Sequence, residues 1–439
     1  MPLADRNRIY ILIDLNARLH IEKLGQRGEG IARGGNGPVY VPHALPGEII
    51  IAEVDGERGR LAQVLVPSPN RIAPICPYYT LCGGCAVQAY APQAYAAWKR
   101  GLLADALARA GFGVELAPMT DAHGQGRRRA TFHARTFHDA RGYLKVETGF
   151  MQARAHAIVE IEACPVLAPA MDGALPLARA LAKVLAPLEK PLDITVTATL
   201  SGLDVDLRGT GPLDFSMTQK LVALAQSHDL ARISNHGAIL VERRPPVLAM
   251  GRAMLVLPPG GFLQATQAGE ETLAQKVLAA AAGIKRIADL FAGVGTFALR
   301  LAEKADVLAV ENDPKANAAC EKAAHGAQGL RRLTIETRDL FVRPLTVAEL
   351  AGFGAVVFDP PRAGAQAQCV QLAASKVPRV IAVSCNVQSF CRDAKILTAG
   401  GYRLDSVTPI DQFRYSPHVE MVGVFSRPAA SRRKRGVLS

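Results

Sequence analysis

Three side chains able to take part in covalent chemistry stand beside apolar runs in the last third of the chain. Asp359 and Cys385 each end such a run, and Glu420 stands just before one. These runs predict buried strands, and in open α/β sheets ligands bind beyond the carboxyl ends of the strands. A thiolate suits attack on an electron-poor alkene carbon such as C6 of uracil, which makes C5 nucleophilic toward a methyl group. Since the adduct must then lose the C5 proton, we predict Cys385 as the nucleophile and Glu420 as the base.

A glycine-containing turn at residues 289–297 is the candidate cofactor site. Gly293 and Gly295 would let a ligand approach the backbone at a helix N-terminus. A third glycine at dinucleotide spacing is missing, which argues against NAD. Glu311 ends the next strand, where an acid can bind ribose hydroxyls, and Asp339 ends the following segment, where it could face an adenine amino group. This layout predicts S-adenosylmethionine.

Four of the eight cysteines form a pattern in which three are close together and one is distant: Cys76, Cys82, Cys85 and Cys164. A cytosolic setting argues against disulfides. The two remaining interpretations are a tetrahedral zinc site and a [4Fe–4S] cluster, each held by four thiolates. The spacing favours the iron–sulfur cluster, because zinc sites more often come as two matched pairs.

The bulk composition indicates a globular protein of several domains. The chain has 439 residues, of which 49% are hydrophobic and 21% charged, so two or three domains are expected. Apolar stretches end well before the ~18 residues that a membrane span needs. The first twenty residues carry charges throughout, unlike a secretory signal. We therefore expect a cytoplasmic protein without membrane spans.

The charge balance points to nucleic acid as a partner. The net charge is +12 and the isoelectric point about 9.4, which favours a polyanion. Residues 427–439 form a basic tail. A second basic cluster is predicted to contact phosphates, and it comprises Arg127, Arg128, Arg129, Arg135, Arg141 and Lys145.

The hydrophobic pattern changes twice along the chain. Residues 1–70 alternate apolar and polar residues between glycine turns, which predicts a five-stranded OB-type barrel that includes a strand at 10–13. Residues 71–261 mix strands and helices and predict a central α+β domain. Residues 262–426 alternate helix and strand, which predicts a doubly wound α/β domain. Its expected strands lie at 286–291, 306–311, 355–359, 379–384 and 421–425.

Taken together, these motifs and Phe262-Leu263-Gln264 resemble the bacterial RNA uracil-5-methyltransferase family, most closely its iron–sulfur enzymes acting on 23S ribosomal RNA. The resemblance implies a class I Rossmann-like methyltransferase domain, an N-terminal TRAM domain that binds RNA, and a [4Fe–4S] cluster on the four patterned cysteines. It implies that Asp359 orients the uracil, with Cys385 as nucleophile and Glu420 as base. The implied S-adenosylmethionine contacts are Gln264, Asp289, Phe291, Gly293, Gly295, Glu311, Asp339 and Asp359.

One position departs from the family pattern, because Thr266 stands where an asparagine is usual. Three alternatives stay open: the same chemistry on transfer RNA, a cytosine-5-methyltransferase, and an iron–sulfur RNA-binding factor without catalysis. The target base must leave its stack to reach Cys385, so base flipping or capture of a loop uridine is expected. No protein partner is implied, and a monomer is expected.

Overall fold

The computed structural model describes residues 16–35, 37–153 and 155–427. The predicted strand at 10–13 and the basic tail beyond Arg427 lie outside these residues. The described chain divides into two compact units. The smaller comprises the residues up to Ile75 together with Cys85–Trp98 and Tyr415–Pro417. The larger comprises Cys76–Gly84, Lys99–Arg414 and the residues from His418 onward.

The smaller unit contains a closed five-stranded barrel, as predicted. Its strands pair in the order β1-β2-β3-β5-β4 and span Asn16–Leu24 (β1), Glu29–Gly34 (β2), Gly37–Pro42 (β3), Ile49–Asp55 (β4) and Arg58–Val66 (β5). Gly30 is required for closure, since a Cβ there would lie 2.8 Å from the carbonyl oxygen of Ala44. The strands β1 and β2 were not foreseen, because charges and glycines interrupt their apolar residues.

The central part of the larger unit is a seven-stranded sheet with two helices packed on its apolar face. The strand order is β13-β12-β11-β10-β7-β8-β9. The strands are Arg129–His138 (β7), Leu144–Met151 (β8), Ile158–Val159 (β9), Leu192–Thr199 (β10), Gly202–Arg208 (β11), Arg232–Asn235 (β12) and Ala238–Glu242 (β13). The helices are α2 (Ala174–Leu185) and α3 (Phe215–Ser227), and a separate hairpin joins β14 (Val247–Met250) to β15 (Ala253–Val256).

The rest of the larger unit is built on an eight-stranded sheet with apolar cores on both faces. Its order is β18-β17-β16-β19-β20-β22-β21-β6. The parallel strands are Arg286–Leu290 (β16), Asp306–Glu311 (β17), Leu333–Thr337 (β18), Ala355–Phe358 (β19) and Arg379–Ser384 (β20). The remaining strands are Thr120–Asp121 (β6), Arg403–Asp411 (β21) and Glu420–Ser426 (β22).

Helices connect the parallel strands of this sheet, as a doubly wound fold requires. The connecting helices are Ala298–Leu301 (α5), Pro314–Gly326 (α6), Gln366–Ala374 (α7) and Val387–Ala399 (α8), and a further helix, Gln267–Ala280 (α4), precedes β16. An earlier helix, α1, spans Pro92–Arg109. No described helix is both long and apolar enough to cross a membrane.

The five strands predicted for this sheet are confirmed to within a residue or two, and so is the α/β fold class with its N-terminal barrel. Three strands of this sheet were missed, one of them the two-residue β6. The strand β18 lies at the sheet edge, and its apolar residues Leu333 and Ile335 alternate with polar ones. The strand β21 contains two aspartates, a serine and a proline, which obscure its apolar residues.

Candidate active site

The sheet brings Asp359, Cys385 and Glu420 to one edge. Asp359 follows β19 and Cys385 follows β20, and these two strands are parallel neighbours. The last strand, β22, runs antiparallel to β20, with Ser384 opposite Met421. Continuing that register by one residue sets Cys385 opposite Glu420. The predicted nucleophile, base and orienting acid are therefore neighbours in the fold.

A chain of side-chain amides connects the two carboxyl groups. Gln264 Nε2 donates to Asp359 Oδ2 over 3.1 Å. Gln412 Nε2 donates to Gln264 Oε1 over 2.7 Å and to Glu420 Oε1 over 3.2 Å. The side chains of Gln264, Gln412 and Glu420 are buried. Buried polar groups that are satisfied in this way hold one another in fixed orientations.

The pKa values of Asp359 and Glu420 are both raised, so each carboxyl stays protonated to a higher pH than a free carboxyl does. Burial raises the pKa of Glu420 to about 8, and the negative charge of Asp359 adds to the shift, while the Gln412 hydrogen bond opposes it. Burial also raises the pKa of Asp359 to about 7, against the Gln264 hydrogen bond. Shifts of this kind are typical of acid–base groups in active sites.

The thiol of Cys385 is held in its neutral form. Burial raises its pKa to about 11, and the charges of Glu420 and Asp359 raise it further, whereas Arg362 lowers it. Arg362 also lies 3.3 Å from His418, measured from its Nη2 to the ring Nε2. Partial loss of solvation by neighbouring atoms lowers the pKa of His418, and the positive charge of Arg362 lowers it further. Part of the ring nevertheless remains exposed.

A buried lysine lies behind the carboxyl groups. Lys99 is fully buried, and its Nζ donates to Asp411 Oδ1 over 2.6 Å and to the carbonyl oxygen of Phe413 over 3.3 Å. Its charge favours the ionised form of Glu420. Sequence reasoning missed both Lys99 and Gln412. The only signal for Gln412 was an Asp-Gln pair placed just before the loop that leads to Glu420.

The predicted cofactor turn is organised around Glu311. Gly293 N–H donates to Glu311 Oε2 over 2.9 Å, and the N–H groups of Asn312 and Asp313 donate to Oε1. Gly293 has a φ of +55°, and within the described ranges no residue other than its two chain neighbours lies within 4 Å of where its Cβ would be. Its backbone is thus open to close approach by a ligand. At Gly295, with φ +92°, a Cβ would collide with Cys320.

The remaining predicted cofactor residues surround this turn. Asp289 lies inside β16 and is fully buried, and neither carboxylate oxygen has a partner within normal hydrogen-bond geometry, although the N–H of Ala298 is near enough to favour its charged form. Phe291 contacts Phe341, with ring centroids 5.4 Å apart. Asp339 lies just beyond β18 and accepts a bond from the N–H of Phe341.

Thr266 has a structural role. It is the N-cap of α4, where its Oγ1 accepts from Gly269 N–H over 2.8 Å and donates to the carbonyl oxygen of Ala122 over 2.7 Å. The side chain is fully buried. The threonine therefore replaces the usual asparagine with another residue that can cap a helix N-terminus.

The predicted phosphate-contacting cluster is wrong for two of its central arginines. Arg128 is buried and forms an ion pair with Glu270, while its Nε donates to the carbonyl oxygen of Gln264. Arg129 donates to the carbonyl oxygen of Gly261, and burial lowers its pKa. Both side chains therefore stabilise the protein instead of presenting charge to RNA. Charge in the sequence does not reveal which way a side chain faces.

The predicted metal site does not appear as a set of ligands. Among the residues that the structure describes, no group of three or more His, Cys, Asp or Glu side chains is arranged to hold a metal ion. Cys76 and Cys82 are close enough for the charge of Cys76 to raise the pKa of Cys82, where burial is the larger cause. Cys82 Sγ also accepts from Gly84 N–H over 3.4 Å. The geometry does not support the iron–sulfur cluster.

Known proteins resemble this chain over nearly its whole length. Residues 260–428 match the tRNA (Uracil-5-)-methyltransferase family. An uncharacterized RNA methyltransferase of Brucella melitensis is 45% identical, with 93% of this chain and 98% of the relative covered. The 23S rRNA (uracil(1939)-C(5))-methyltransferase RlmD of Pseudomonas syringae pv. tomato is 34% identical, with 97% of each covered. The Pyrococcus abyssi tRNA (uracil-54, C5)-methyltransferase, solved with S-adenosyl-L-homocysteine, has the same fold, with a TM-score of 0.70, 23% identity and coverage of 93% and 99%.

A doubly wound sheet with an open glycine turn and reactive groups at its carboxyl edge defines a methyltransferase. The chain belongs to the family of S-adenosylmethionine-dependent RNA (uracil-5-)-methyltransferases. The predicted enzyme class, S-adenosylmethionine as cofactor and RNA as substrate are thereby confirmed. The comparisons favour neither a cytosine-5-methyltransferase nor a factor without catalysis.

Proposed function

We propose that this enzyme methylates C5 of a uridine in 23S ribosomal RNA through a covalent bond between Cys385 and C6. The observation that carries the proposal is the juxtaposition of Cys385, Glu420 and Asp359 at one sheet edge, within a buried hydrogen-bond network. A nucleophile and a base held on neighbouring strands suit a reaction that must first add to a ring and then remove a proton from it.

The chemical steps follow from the two side chains. The Cys385 thiolate adds to C6, and the electrons of the C5=C6 bond move toward C4 and its oxygen, so that C5 becomes nucleophilic. Bound S-adenosylmethionine would supply the electrophilic methyl group that C5 receives, with its sulfur–methyl bond breaking and S-adenosylhomocysteine as the leaving group. Glu420 then takes the C5 proton, the C5=C6 bond forms again and the thiolate leaves. Asp359, whose carboxyl is held by Gln264, would orient the uracil ring by hydrogen bonding.

The cofactor would lie against the open glycine turn. Gly293 offers backbone free of steric obstruction, and Glu311 already fixes that backbone in place. The side chains proposed to hold it are Gln264, Asp289, Phe291, Glu311, Asp339 and Asp359, with the backbone of Gly293 and Gly295. The unpaired carboxyl of Asp289 fits a site that is completed by a ligand.

The choice of 23S RNA as substrate is supported by the similarity to RlmD. Transfer RNA is the second candidate, supported by the family description and by the archaeal structure with the same fold.

We assign RNA binding to residues 1–70, because the closed barrel β1–β5 matches the TRAM-like unit expected there. The other proposed boundaries are 71–261 for the central domain, 262–426 for the methyltransferase domain and 427–439 for the basic tail. We further propose a cytoplasmic monomer.

The iron–sulfur cluster remains a prediction from cysteine spacing. Its proposed ligands are Cys76, Cys82, Cys85 and Cys164. Iron and sulfide analysis of anaerobically purified protein tests it. Stoichiometric iron that is lost in Cys82→Ser but kept in Cys320→Ser would support the cluster, and absence of iron from the anaerobic protein would exclude it.

The substrate is tested by mass mapping of 23S ribosomal RNA and transfer RNA from a strain lacking the enzyme. Loss of one or more 5-methyluridines from 23S RNA, restored by the wild-type gene and not by Cys385→Ala, is the expected result. Loss from transfer RNA alone would identify transfer RNA as the substrate and leave the proposed reaction unchanged. An unchanged set of 5-methyluridines in both RNAs would contradict the proposal.

A further inference from the structure

We infer that Gln412 is a positioning residue that fixes which oxygen of Glu420 receives the C5 proton. This inference rests on the proposed function. It concerns a side chain that touches neither of the reacting carbon atoms and acts through Glu420. Gln412 is fully buried between Gln264 and Glu420 and makes hydrogen bonds to both.

The orientation of the Gln412 amide is set by the backbone. The N–H of Ala265 points at the amide over 3.0 Å. A backbone N–H can only donate, so the atom that faces it must be Oε1 and not Nε2. The amide nitrogen therefore faces the other way, where it has two hydrogens to donate. Its two partners are Gln264 Oε1 and Glu420 Oε1.

This orientation determines the direction of the next bonds. Because Gln264 Oε1 accepts from Gln412, its Nε2 is left to donate to Asp359 Oδ2. Both carboxyl groups thus receive a hydrogen from an amide that has no acceptor to offer in return. The backbone N–H of Ala265 thus fixes the donor direction of each hydrogen bond between it and the two carboxyl groups.

The hydrogen bond from Gln412 makes the two oxygens of Glu420 inequivalent. Oε1 already uses one lone pair to accept from Gln412, which lowers its affinity for a proton relative to Oε2. Oε2 is therefore the oxygen assigned to the C5 proton. The same bond keeps the carboxyl plane from rotating while the substrate enters, which preserves the alignment that proton transfer needs.

The charged groups around Glu420 act together with Gln412. Asp359 disfavours the ionised form of Glu420, while Lys99 and Arg362 favour it. Gln412 differs from these groups, because it is neutral and donates a directed hydrogen bond. Its loss should therefore disturb the geometry of proton removal as well as the affinity of Glu420 for its proton.

The test separates formation of the covalent adduct from its resolution. Purified enzyme is mixed with labelled S-adenosylmethionine and 23S ribosomal RNA from a strain lacking the enzyme. The protein–RNA adduct is measured on denaturing gels with time, beside release of 5-methyluridine product. Gln412→Met removes the donor. Gln412→Glu keeps the shape and the acceptor for Ala265, and replaces the nitrogen by oxygen.

The matched control is Gln368→Met. Gln368 is also fully buried in the α/β domain, but its amide bonds the backbone of Leu345 and is not part of the series that links Asp359 and Glu420. Thermal denaturation of all three variants reports the structural cost of losing a buried amide. That cost should be similar for Gln412→Met and Gln368→Met.

For both Gln412 variants we expect resolution to slow about 10- to 100-fold, the loss expected for one hydrogen bond to a charged group. Adduct formation should slow by less, because Asp359 keeps its own bond from Gln264. The adduct should accumulate, and the pH at which resolution becomes half-maximal should rise. Variants that resolve the adduct as Gln368→Met does, or that lose formation and resolution equally, would overturn the inference. A wild-type enzyme that forms neither adduct nor 5-methyluridine would instead refute the proposed function.

Discussion

Cys385, the proposed nucleophile, is held in its neutral thiol form. Burial and the neighbouring charges of Glu420 and Asp359 raise its pKa to about 11, so almost all of the thiol is protonated at neutral pH. Only the thiolate is a nucleophile. The low thiolate content should make Cys385 slow to oxidise or alkylate, and the proposed attack requires that bound RNA change the surroundings of the thiol.

Alkylation of Cys385 by iodoacetamide should accordingly be slow at neutral pH and rise about tenfold per pH unit as pH increases toward 11. Glu420→Gln should accelerate it, because one of the charges that stabilise the neutral thiol is removed. Peptide mass spectrometry after timed quenching measures both effects. Rapid labelling of the wild-type cysteine at pH 7 would show that the thiol is already activated.

Glu420→Gln should also stop the reaction after methylation. The glutamine has the shape of the glutamate but cannot take the C5 proton, so the methylated RNA stays bonded to Cys385. Product release should fall about 100- to 10,000-fold, the usual contribution of a general base. Denaturing gels with RNA labelled through the transferred methyl group detect the trapped complex. Product formation at the wild-type rate would remove Glu420 from the mechanism.

The pH dependence of adduct resolution should follow Glu420. Burial and Asp359 raise its pKa to about 8, and only the ionised carboxylate accepts a proton. Resolution should therefore be slow below about pH 7, increase through pH 8 and level off above it. Single-turnover rates at saturating RNA measure this profile. A profile that is flat between pH 6 and 9 would exclude Glu420 as the titrating base.

At the scale of elements, the N-terminus of α4 anchors the side chains behind the site. Thr266 caps this helix and also bonds the carbonyl oxygen of Ala122. In the first turn, Glu270 binds both Arg128 and Arg300. Arg128 in turn holds the carbonyl oxygen of Gln264. The position of Gln264, and with it the series of amides, depends on how this helix begins.

Thr266→Val should lower the free energy of unfolding by about 1–2 kcal/mol, because a helix cap is lost. Methylation should weaken as well, since Gln264 lies just before the cap. Thr218→Val is a control at a partly exposed helix position whose hydroxyl donates to the carbonyl oxygen of Asp214. Chemical denaturation and turnover measure the two effects. Equal behaviour of the two variants would show that the cap is unimportant.

The elements that sequence reasoning predicted are those with continuous apolar runs. Asp359 and Cys385 could be found because each follows such a run, and the carboxyl ends of parallel strands share one edge. Gln412 could not be found, because β21 carries charges and a proline. Lys99 lies in a helix, where a lysine normally indicates a solvent-facing side, yet it is fully buried against Asp411. Both roles depend on pairing between distant segments, which local sequence does not record.

At the scale of the whole molecule, Asp289 makes stability depend on pH. Burial raises its pKa well above the usual value of 3.8, and Asp359 and Glu311 add to the shift. The folded state therefore binds this proton more tightly than the unfolded state. Stability associated with Asp289 is complete below about pH 4 and is lost as pH rises through the range up to the folded-state pKa.

Asp289→Asn should consequently have a higher Tm than wild type at pH 7, and the difference should shrink toward pH 4. The exposed Asp172→Asn provides the control, with little change at either pH. Thermal denaturation at several pH values measures the difference. A gap between Asp289→Asn and wild type that is the same at pH 4 and pH 7 would contradict this account. S-adenosylmethionine binding by Asp289→Asn can be measured on the same samples.

The position of β22 affects the order in which the proposed active site is completed during synthesis. This strand follows both β20 and β21 in the chain, yet it lies between them in the sheet. Until residues 420–426 have left the ribosome, β20 has an open edge and Cys385 lacks its neighbour Glu420. In the proposed mechanism, a nascent chain therefore carries the nucleophile without the base that completes a turnover. By the same mechanism, newly made enzyme should release methylated RNA only after its last described strand has entered the sheet.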